Sequence, residues 1–336
     1  MQVAVLAHDS FPDRAKTAVG LLRYGDHEVR AVLDRETAGS RVADHLPDVQ
    51  DAPIVGSMSA APEVDALVVG VAPIGGGFDE SWRSDVVVAL ERGCHVLSGL
   101  HYFLSEDDEF AQLAADHGGE LVDVRKPPEN LTVADGTAGG VEATVVTTVG
   151  TDCSTGKMTT AYELRDAARE RGLDAVVVPT GQTGVVIEGW GIVVDRVVSD
   201  YAAGAVERLV ETPVGMDLVV VEGQGALGHP AYSGVTTSIL HGSAPDALVI
   251  CHEAGREVVH GYESFRIPPP GDYVDLYERV AAPVSDASVV AGALNTQSLS
   301  DDAAADAVAA YGDAIDAPAT DPVRDGIPAA VLDAIV

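Results

Sequence analysis

Cysteine, lysine and aromatic residues are all scarce in this sequence of 336 residues. Its three cysteines lack the spacing of a metal site, and an odd number does not complete a set of disulfides. No apolar run approaches the ~18 residues of a membrane span, and the first residues lack the basic region of a secretory signal. These absences predict a cytoplasmic protein with free thiols, no membrane partner and no bound metal.

Basic side chains are also few. The chain has 20 lysines and arginines against 53 acidic residues, which gives a formal net charge of −33 at pH 7. Such a charge repels nucleic-acid phosphates, so nucleic acid is not expected as a partner. It also destabilises a compact fold unless salt screens the repulsion, which is typical of a halophilic protein. Only three lysines remain, Lys16, Lys126 and Lys157, and each is a candidate for a site that needs a compact ammonium group.

What the sequence does contain is enough apolar surface for a core, since 46% of its residues are hydrophobic. Apolar runs alternate with amphipathic ones along the N-terminal third, as expected of βαβ units around a parallel sheet. Strands are predicted at Val3–Ala7, Val29–Leu33, Ala66–Val71, His95–Leu97 and Glu120–Val124, and helices at Asp13–Arg23, Glu80–Arg92 and Glu106–His117.

A segment rich in proline and glycine, from Lys126 to Gly140, predicts a linker, and a second α/β pattern begins at Glu142. Further strands are predicted at Ala143–Val149, Asp174–Val178, Leu218–Val221, Ala247–Cys251 and Ser288–Ala293, with a helix at Gly156–Arg171 and two alanine-rich helices after Asp301. We therefore predict an α/β protein with domains at residues 1–127 and 142–336 and a linker at 128–141. Because paired α/β domains often associate, we also expect a homo-oligomer.

The most specific signal is a glycine-containing loop between a predicted strand and a predicted helix. In a P-loop, backbone N–H groups and a helix N-terminus converge on an anion, and a lysine reaches the same phosphates. The spacing here is unusual, because five residues separate Gly150 from Gly156 and Met158 follows Lys157, where a hydroxyl normally ligates Mg²⁺. The alternative is an incidental glycine-rich turn. The residues predicted to bind phosphate are Gly150, Thr151, Asp152, Cys153, Ser154, Thr155, Gly156, Lys157, Met158 and Thr159.

Polar residues follow other predicted strands of the same half. In a doubly wound sheet, ligands collect at the carboxyl ends of the strands, so Glu222 is expected to face the phosphate loop. Glu222 is a candidate metal ligand, general base or ribose contact, and the alternative is a carboxylate that caps the next turn. His252 also ends a strand and is a candidate proton carrier near neutral pH. Gln182 lies in a loop expected at the same edge.

The N-terminal half offers weaker signals. Gly75-Gly76-Gly77 follows a predicted strand but is not a GxGxxG sequence, so it predicts no NAD site. His101 follows another strand, in Ser98-Gly-Leu-His101, and Lys16 lies on a predicted helix with few acidic neighbours.

Together these residues resemble a family long catalogued as a domain of unknown function, whose members of the DgcN type are D-glutamate N-acetyltransferases that use acetyl-CoA. The resemblance covers nearly the whole chain and implies a Rossmann-like domain followed by a P-loop NTPase-like domain. The phosphate loop and the Val-Glu-Gly segment are also similar to dethiobiotin synthetase, an ATP-dependent ligase, over the C-terminal half. The residues that carry the first resemblance are Lys16-Thr-Ala, Gly99-Leu-His101, Asp123-Val-Arg125, the Gly-Lys-Met-Thr-Thr segment, Glu222-Gly-Gln-Gly and Asn295-Thr.

The resemblance implies transfer of acetyl from acetyl-CoA to the amine of D-glutamate or a similar acidic amino acid. A phosphate loop agrees with this reaction if it holds the pyrophosphate of CoA without cleaving it. A base must first deprotonate the ammonium, and Glu222 is the first candidate and His252 the second. The carboxylates of the acceptor need cations, which places the acceptor between the two domains. The candidates for binding it are Lys16, Arg125, Lys126 and His101.

Two other functions remain open. A kinase or ligase that uses Mg²⁺ and ATP on a small carboxylic acid would use Glu222 as a metal ligand and Lys157 on the γ-phosphate. A sensor of CoA or a nucleotide would bind its ligand without turnover. Mg²⁺-dependent release of ADP would indicate the first, and saturable binding without any product would indicate the second.

Overall fold

The computed structural model describes residues 1–71, 73 and 75–336, and its contacts divide the chain into two compact units. The first unit consists of Met1–Pro127 with Gln182–Arg196, and the second of Pro128–Gly181 with Val197–Val336. The predicted C-terminal domain ran without interruption from residue 142, whereas residues 182–196 pack with the first unit.

A parallel sheet of six strands forms the centre of the first unit. The strands are β1 (Gln2–Leu6), β2 (Glu28–Leu33), β3 (Ile54–Val55), β4 (Ala66–Val69), β5 (His95–Ser98) and β6 (Leu121–Asp123). They lie in the order β3-β2-β1-β4-β5-β6, and every neighbouring pair is parallel. This is the strand order of the dinucleotide-binding doubly wound fold, so the predicted Rossmann-like architecture is confirmed.

In the described part of the first unit the helices are α1 (Lys16–Tyr24), α2 (Arg83–Glu91), α3 (Asp108–His117) and α5 (Gln182–Glu188). α1, α2 and α3 begin two to three residues later than predicted, and α5 was not predicted as a helix. Residues 8–14 form turns ahead of α1, and a short 3₁₀ turn at Glu80–Trp82 precedes α2. The Asp107 carboxylate accepts hydrogen bonds from the N–H groups of Glu109 and Phe110 at 3.1 and 3.2 Å, which sets the first turn of α3.

The second unit contains another parallel sheet of six strands. They are β7 (Thr144–Gly150), β8 (Ala175–Val178), β9 (Leu218–Val221), β10 (Ala247–Glu253), β13 (Ser288–Asn295) and β14 (Ala319–Thr320). Their order is β14-β13-β10-β7-β9-β8, with all neighbours parallel. Because the chain moves to one side of β7 for β8 and β9 and to the other for β10, the topological switch point lies at β7.

The helices of the second unit are α4 (Lys157–Glu170), α6 (Ser199–Glu211), α7 (Ser233–Ser243), α8 (Pro270–Ala281), α9 (Asp301–Ile315) and α10 (Ala329–Asp333). A two-stranded antiparallel hairpin, β11 (Val258–Val259) and β12 (Tyr262–Arg266), lies outside the main sheet. Val149, Ile250, Tyr277 and Tyr311 pack together in the core between sheet and helices. None of the helices in the described residues is both long enough and apolar enough to cross a bilayer.

Candidate active site at the phosphate loop

The phosphate loop joins the central strand β7 to α4. β7 ends at Gly150 and α4 begins at Lys157, so the loop occupies the carboxyl end of the strand at the topological switch point. Two left-handed residues, Ser154 with φ +55° and Gly156 with φ +97°, turn the chain into the helix. A β-carbon at residue 156 would make that conformation costly, which is the physical reason for glycine at this position.

The backbone N–H groups of the loop fall into two sets. The Gly150 N–H donates to the Tyr277 hydroxyl at 3.3 Å, the Thr151 N–H to the Cys251 carbonyl at 3.1 Å, and the Cys153 N–H to the Asp152 carboxylate at 2.7 Å. The N–H groups of residues 154–156, in contrast, donate to no acceptor in the part of the chain that the structure describes. The second half of the loop therefore offers three donors to an anion.

Lys157 directs its ammonium into the same loop. Its Nζ donates to the Asp152 carbonyl oxygen at 2.7 Å and lies 3.4 Å from Thr155 Oγ1, and the residue is only 7% exposed. A β-carbon added at Gly150 would lie 2.8 Å from Thr155 Oγ1 and 3.0 Å from Nζ, so glycine leaves room there for both side chains. The positive charge is thus held beside the open N–H groups.

The Asp152 carboxylate holds the loop in place through hydrogen bonds to the loop and to the segment after β10. It is fully buried and accepts hydrogen bonds from the Cys153 N–H at 2.7 Å, the His260 N–H at 2.8 Å and Arg256 Nη1 at 3.2 Å. Arg256 also donates to the Cys153 carbonyl at 2.6 Å and pairs with Glu253. Because this guanidinium lies beside the carboxylate, it offsets part of the repulsion that an anion in the loop would otherwise meet.

Tyr277 on α8 holds the beginning of the loop. Its hydroxyl donates to the Gly150 carbonyl at 2.7 Å and accepts hydrogen bonds from the N–H groups of Gly150 and Leu227, at 3.3 and 3.2 Å. Burial raises the pKa of Tyr277, which keeps the phenol protonated and able to donate. One side chain therefore joins the end of β7 to the segment that follows β9.

Glu222 follows β9, the neighbour of β7 in the sheet, and is 1% exposed. Its Oε2 accepts hydrogen bonds from the N–H groups of Thr180 and Gly181 at 3.3 and 3.2 Å, as in the capping alternative. Its Oε1 accepts none from the described residues. The next residue, Gly223, has no room for a side chain, since a β-carbon there would lie 1.7 Å from the Thr148 carbonyl oxygen.

His252 forms a hydrogen bond with the first half of the loop. Its Nδ1 forms a 2.7 Å hydrogen bond with Thr151 Oγ1, and the Tyr311 ring stacks on the imidazole with centroids 5.8 Å apart. Burial, followed by the nearby Arg256, lowers the pKa of His252 to about 4. The ring is therefore neutral at pH 7 and a weak base.

The other predicted residues lie in the first unit. Arg125 is buried, donates from Nε to the Gly99 carbonyl at 2.6 Å, and pairs through Nη1 with Asp195. The Lys126 ammonium lies over the Phe103 ring, 5.8 Å from its centroid. Lys16 is exposed at the start of α1. His101 packs against the turn at Gly76. Gln182 is the first residue of α5 rather than a loop residue, and its stem packs against Gly99 of the same unit.

Comparison with known proteins decides the family. A model of a P-loop domain of unknown function, DUF1611_C, matches residues 132–332. A model of a Rossmann-like domain of unknown function, DUF1611_N, matches residues 35–127. The chain belongs to the DUF1611 family. The family resemblance inferred from the sequence and the order of its two domains are thereby confirmed.

Two curated relatives of this DUF1611 chain are named D-glutamate N-acetyltransferase. The protein from a Pseudoalteromonas species is 36% identical over 78% of this chain and 78% of its own length, and that from Tritonibacter scottomollicae is 33% identical over 93% and 91%. A crystal structure of a DUF1611 family protein from Anabaena variabilis has a TM-score of 0.94 at 38% identity, covering 99% of this chain and 98% of that one.

In this DUF1611 chain, one group of potential metal ligands occurs among the described residues: Asp152, Cys153 and His229, with ligand atoms within 4.8 Å of one another. His229 Nδ1 accepts a hydrogen bond from the Ala231 N–H at 3.1 Å, so the neutral ring carries its proton on Nε2. That nitrogen lies 3.9 Å from Asp152 Oδ1, which already accepts a hydrogen bond. A protonated nitrogen cannot ligate a metal, so these residues fit a metal ion poorly.

Sequence reasoning about this DUF1611 chain missed Arg256 and Tyr277. Arg256 follows the carboxyl end of β10, so the same rule that indicated Glu222 and His252 could have indicated it. Tyr277 gave no such signal, because it reaches the loop from a helix that lies 127 residues further along the chain.

Proposed function

We propose that this chain is an N-acetyltransferase that transfers acetyl from acetyl-CoA to the amine of D-glutamate or a similar acidic amino acid. Two relatives that bear the name D-glutamate N-acetyltransferase, each similar over most of its length, support the reaction class. The observation that carries the proposal for the donor is the open half of the phosphate loop, whose N–H groups at residues 154–156 have no described acceptor beside the Lys157 ammonium.

In this proposal the loop holds the CoA pyrophosphate without cleaving it. Three backbone donors, a buried ammonium and the N-terminus of α4 suit a doubly charged phosphate pair. Phosphoryl transfer by a P-loop enzyme uses a hydroxyl directly after the lysine as a Mg²⁺ ligand. Met158 is buried at that position and has no hydroxyl, and Thr159 is about 100° further round the helix. This substitution favours phosphate binding over the kinase or ligase alternative.

Glu222 is the base in the proposed reaction. Its open Oε1 accepts a proton from the substrate ammonium, and the freed amine attacks the carbonyl carbon of the thioester. As the C–N bond forms and the C–S bond breaks, the CoA sulfur leaves as a thiolate and takes up the second proton of the amine. His252 is less suited to the role, because its pKa of about 4 makes it a weak base and its Nδ1 is bonded to Thr151.

The tetrahedral oxyanion needs N–H donors. The N–H groups of Gln224 and Gly225 lie two and three residues after Glu222 and donate to no described residue, so we assign this role to them. Because Glu222 lies at the same sheet edge as the loop, the proposal requires the pantetheine arm of the donor to fold back toward the pyrophosphate.

The acceptor carboxylates are assigned to cations of the first unit. Lys16 and Lys126 are exposed, and Arg125 and His101 complete the set. Because the Nε and Nη1 groups of Arg125 are already engaged, the two lysines are the stronger candidates. Replacement of Lys16 or Lys126 by glutamine should therefore raise the KM for D-glutamate and leave the affinity for acetyl-CoA unchanged.

The experiment that tests the proposal compares two lysines. Lys157→Ala should weaken acetyl-CoA binding, measured by calorimetry, by roughly 10- to 100-fold, since a hydrogen bond to a charged group is worth about 1.5–3 kcal/mol. Lys126→Ala is the matched control and should bind acetyl-CoA as the wild type does. Equal affinity of the two variants would contradict the assigned role of the loop, and ADP release in place of free CoA thiol would contradict acetyl transfer.

A further inference from the structure

Three exposed aromatic side chains lie together in the second unit, and we call them the aromatic patch: Tyr232, Tyr262 and Phe265. They are 51%, 39% and 49% exposed, in a chain in which aromatic residues make up only 5%. Tyr262 and Phe265 belong to β12, which is exposed along its whole length. Exposed aromatic groups that cluster are a common sign of a binding surface.

The patch is organised around His229, which is itself only 2% exposed. The Tyr232 ring lies 4.6 Å from the imidazole at an interplanar angle of 31°, and the Tyr262 ring meets it edge-on at 5.2 Å. Phe265 contacts Tyr262 with ring centroids 6.4 Å apart. The buried histidine therefore supports rings whose outer surfaces remain available to a ligand.

The patch adjoins the phosphate loop. His229 Nε2 lies 3.9 Å from Asp152 Oδ1, so a single ring separates the loop from both tyrosines. The hairpin that carries Tyr262 and Phe265 is bonded to the same aspartate through the His260 N–H at 2.8 Å. Asp152 thus connects the hairpin to the phosphate loop, and a nucleotide likewise carries a flat base one ribose away from its first phosphate.

Arg266 adds a positive charge to the hairpin. Arg266 ends the strand β12 that carries Tyr262 and Phe265, and it directly follows Phe265. Arg266 is exposed and has no hydrogen bond or ion pair with the described residues, whereas Arg256 at the start of the hairpin is fully engaged with the loop. In a chain of net charge −33, this leaves a cation available to a phosphate.

We propose that the aromatic patch binds the adenine of the donor and that Arg266 pairs with its 3′-phosphate, so that the loop and hairpin together recognise the adenosine 3′,5′-bisphosphate end of CoA. The inference rests on the proposed function, which supplies the donor. Adenine offers a π-face for stacking to the tyrosine and phenylalanine rings, and the guanidinium offers paired N–H donors to a phosphate.

The test uses adenosine 3′,5′-bisphosphate as a probe, because it contains the recognised groups and requires no turnover. Calorimetry compares wild type with Tyr262→Leu, Phe265→Leu and Arg266→Gln. Each aromatic variant should lose roughly 5- to 100-fold in affinity, the range seen when a base-stacking aromatic is removed. Tyr201→Leu, which changes an exposed tyrosine on α6, is the matched control and should bind the probe normally.

Steady-state kinetics with two donors gives the second readout. Acetyl-CoA and acetyl-pantetheine carry the same thioester, but only the first has a nucleotide. The Tyr262 and Phe265 variants should lose kcat/KM with acetyl-CoA and keep it with acetyl-pantetheine. Arg266→Gln should lower the affinity for adenosine 3′,5′-bisphosphate and leave that for adenosine 5′-phosphate unchanged.

The outcomes separate the two proposals. If the wild type binds the bisphosphate and the variants bind it more weakly, while no acetyl-D-glutamate forms, the proposed function is wrong and the subsite stands. Unchanged probe affinity in all three variants overturns the subsite, whether or not acetyl transfer occurs. Unchanged affinity together with a smaller assembly in light scattering would assign the patch to an interface between copies of the chain and would also overturn the inference.

Discussion

The two units share a parallel sheet of six strands, but they differ in how polar groups at the carboxyl edge of the sheet are satisfied. In the first unit the carboxylates at this edge have protein partners. The Asp34 carboxylate, directly after β2, accepts hydrogen bonds from the N–H groups of Asp9 and Thr37 at 2.7 and 3.0 Å. Both oxygens of Asp123 at the end of β6 are likewise bonded, to N–H groups at 2.8 and 3.0 Å.

In the second unit the corresponding edge keeps groups available for a ligand. Three consecutive loop N–H groups at residues 154–156 and one oxygen of Glu222 have no partner among the described residues. A dinucleotide fold uses the acidic residue after its second strand to bind a ribose, and in the first unit that place is taken by Asp34, whose carboxylate is occupied. Fold class alone therefore does not locate the chemistry, and the state of individual polar groups does.

Replacing the carboxylate by an amide at the carboxyl edge of each sheet should produce the largest difference in activity between a variant of the second unit and one of the first. Glu222→Gln removes the proposed base and should lower kcat for acetyl transfer by roughly 10²- to 10⁴-fold. Asp123→Asn removes an acceptor of two N–H groups and should lower the melting temperature with little change in kcat. Stopped-assay kinetics and thermal unfolding of both variants make the measurement.

The proposed difference between the two sheet edges would be wrong if Glu222→Gln and Asp123→Asn had the same effects on kcat and melting temperature. A Glu222→Gln enzyme with wild-type kcat would leave the carboxylate with a structural role only, as a cap for the N–H groups of Thr180 and Gly181. A loss of kcat in a well-folded Asp123→Asn enzyme would place chemistry at the edge of the first unit.

A substitution of Gly223, which follows β9 and lies close to the backbone of β7, should have the next largest effect, a loss of folding stability. A β-carbon at Gly223 would lie 1.7 Å from the Thr148 carbonyl oxygen, a backbone atom that cannot rotate away. Gly223→Ala should therefore destabilise the protein by about 3 kcal/mol and disturb the position of Glu222. Gly56→Ala in the first unit is the control, since its β-carbon would lie in ordinary contact, 3.7 Å from Ala38 Cβ. Denaturant unfolding of the two variants measures the difference, and equal midpoints would be inconsistent with the observed packing.

The sequence was informative wherever one segment determines its own structure. The apolar run Leu218–Val221 is buried on both faces and was predicted at its observed bounds. The start of α5 at Gln182 was not predicted, because Thr180-Gly181-Gln182-Thr183-Gly184 reads as a turn, and packing within the first unit makes it a helix. The hairpin β11–β12 and the strands β3 and β14 have only two to five residues each, too few for a clear period.

The residues of the candidate site also fall into those that local sequence predicts and those that it does not. The loop and Glu222 follow from local spacing and from the rule about strand ends, and their functional roles remain predictions. Contacts between distant segments were not predictable, because spacing along the chain does not indicate which side chains fold back. Asp152 illustrates this, since its partners Arg256 and His260 lie more than a hundred residues away.

The buried histidine of the second unit should give a smaller, pH-dependent effect. The pKa of His252 is about 4 in the folded protein and near 6.5 when unfolded. Between these values the unfolded chain binds a proton that the native state does not, so the stabilisation is complete above pH 6.5 and is lost as the pH falls toward 4. Stability should drop by about 2 kcal/mol between pH 7 and 5 from this group.

The measurement is the difference between wild type and His252→Gln in denaturant unfolding at both pH values, with the exposed His117→Gln of the first unit as the control. The glutamine variant should lose about 2 kcal/mol less than the wild type, and the control should match the wild type. If the unfolding free energy fell equally between pH 7 and 5 in all three proteins, His252 would already be protonated at pH 5 in the folded protein and would not be buried as described.

The smallest effect is expected for the ion pair of the first unit. Asp195→Asn removes the negative charge that pairs with Arg125, whose Nε remains bonded to the Gly99 carbonyl. Because the Asp195 side chain is 39% exposed, water partly replaces the lost charge, and the cost should be about 1 kcal/mol in unfolding free energy. If Arg125 serves the unit's own structure, the KM for D-glutamate stays within twofold. A several-fold fall in that KM would mean that the carboxylate competes with the substrate for the guanidinium, and the edge of the first unit would then be as open to a ligand as that of the second.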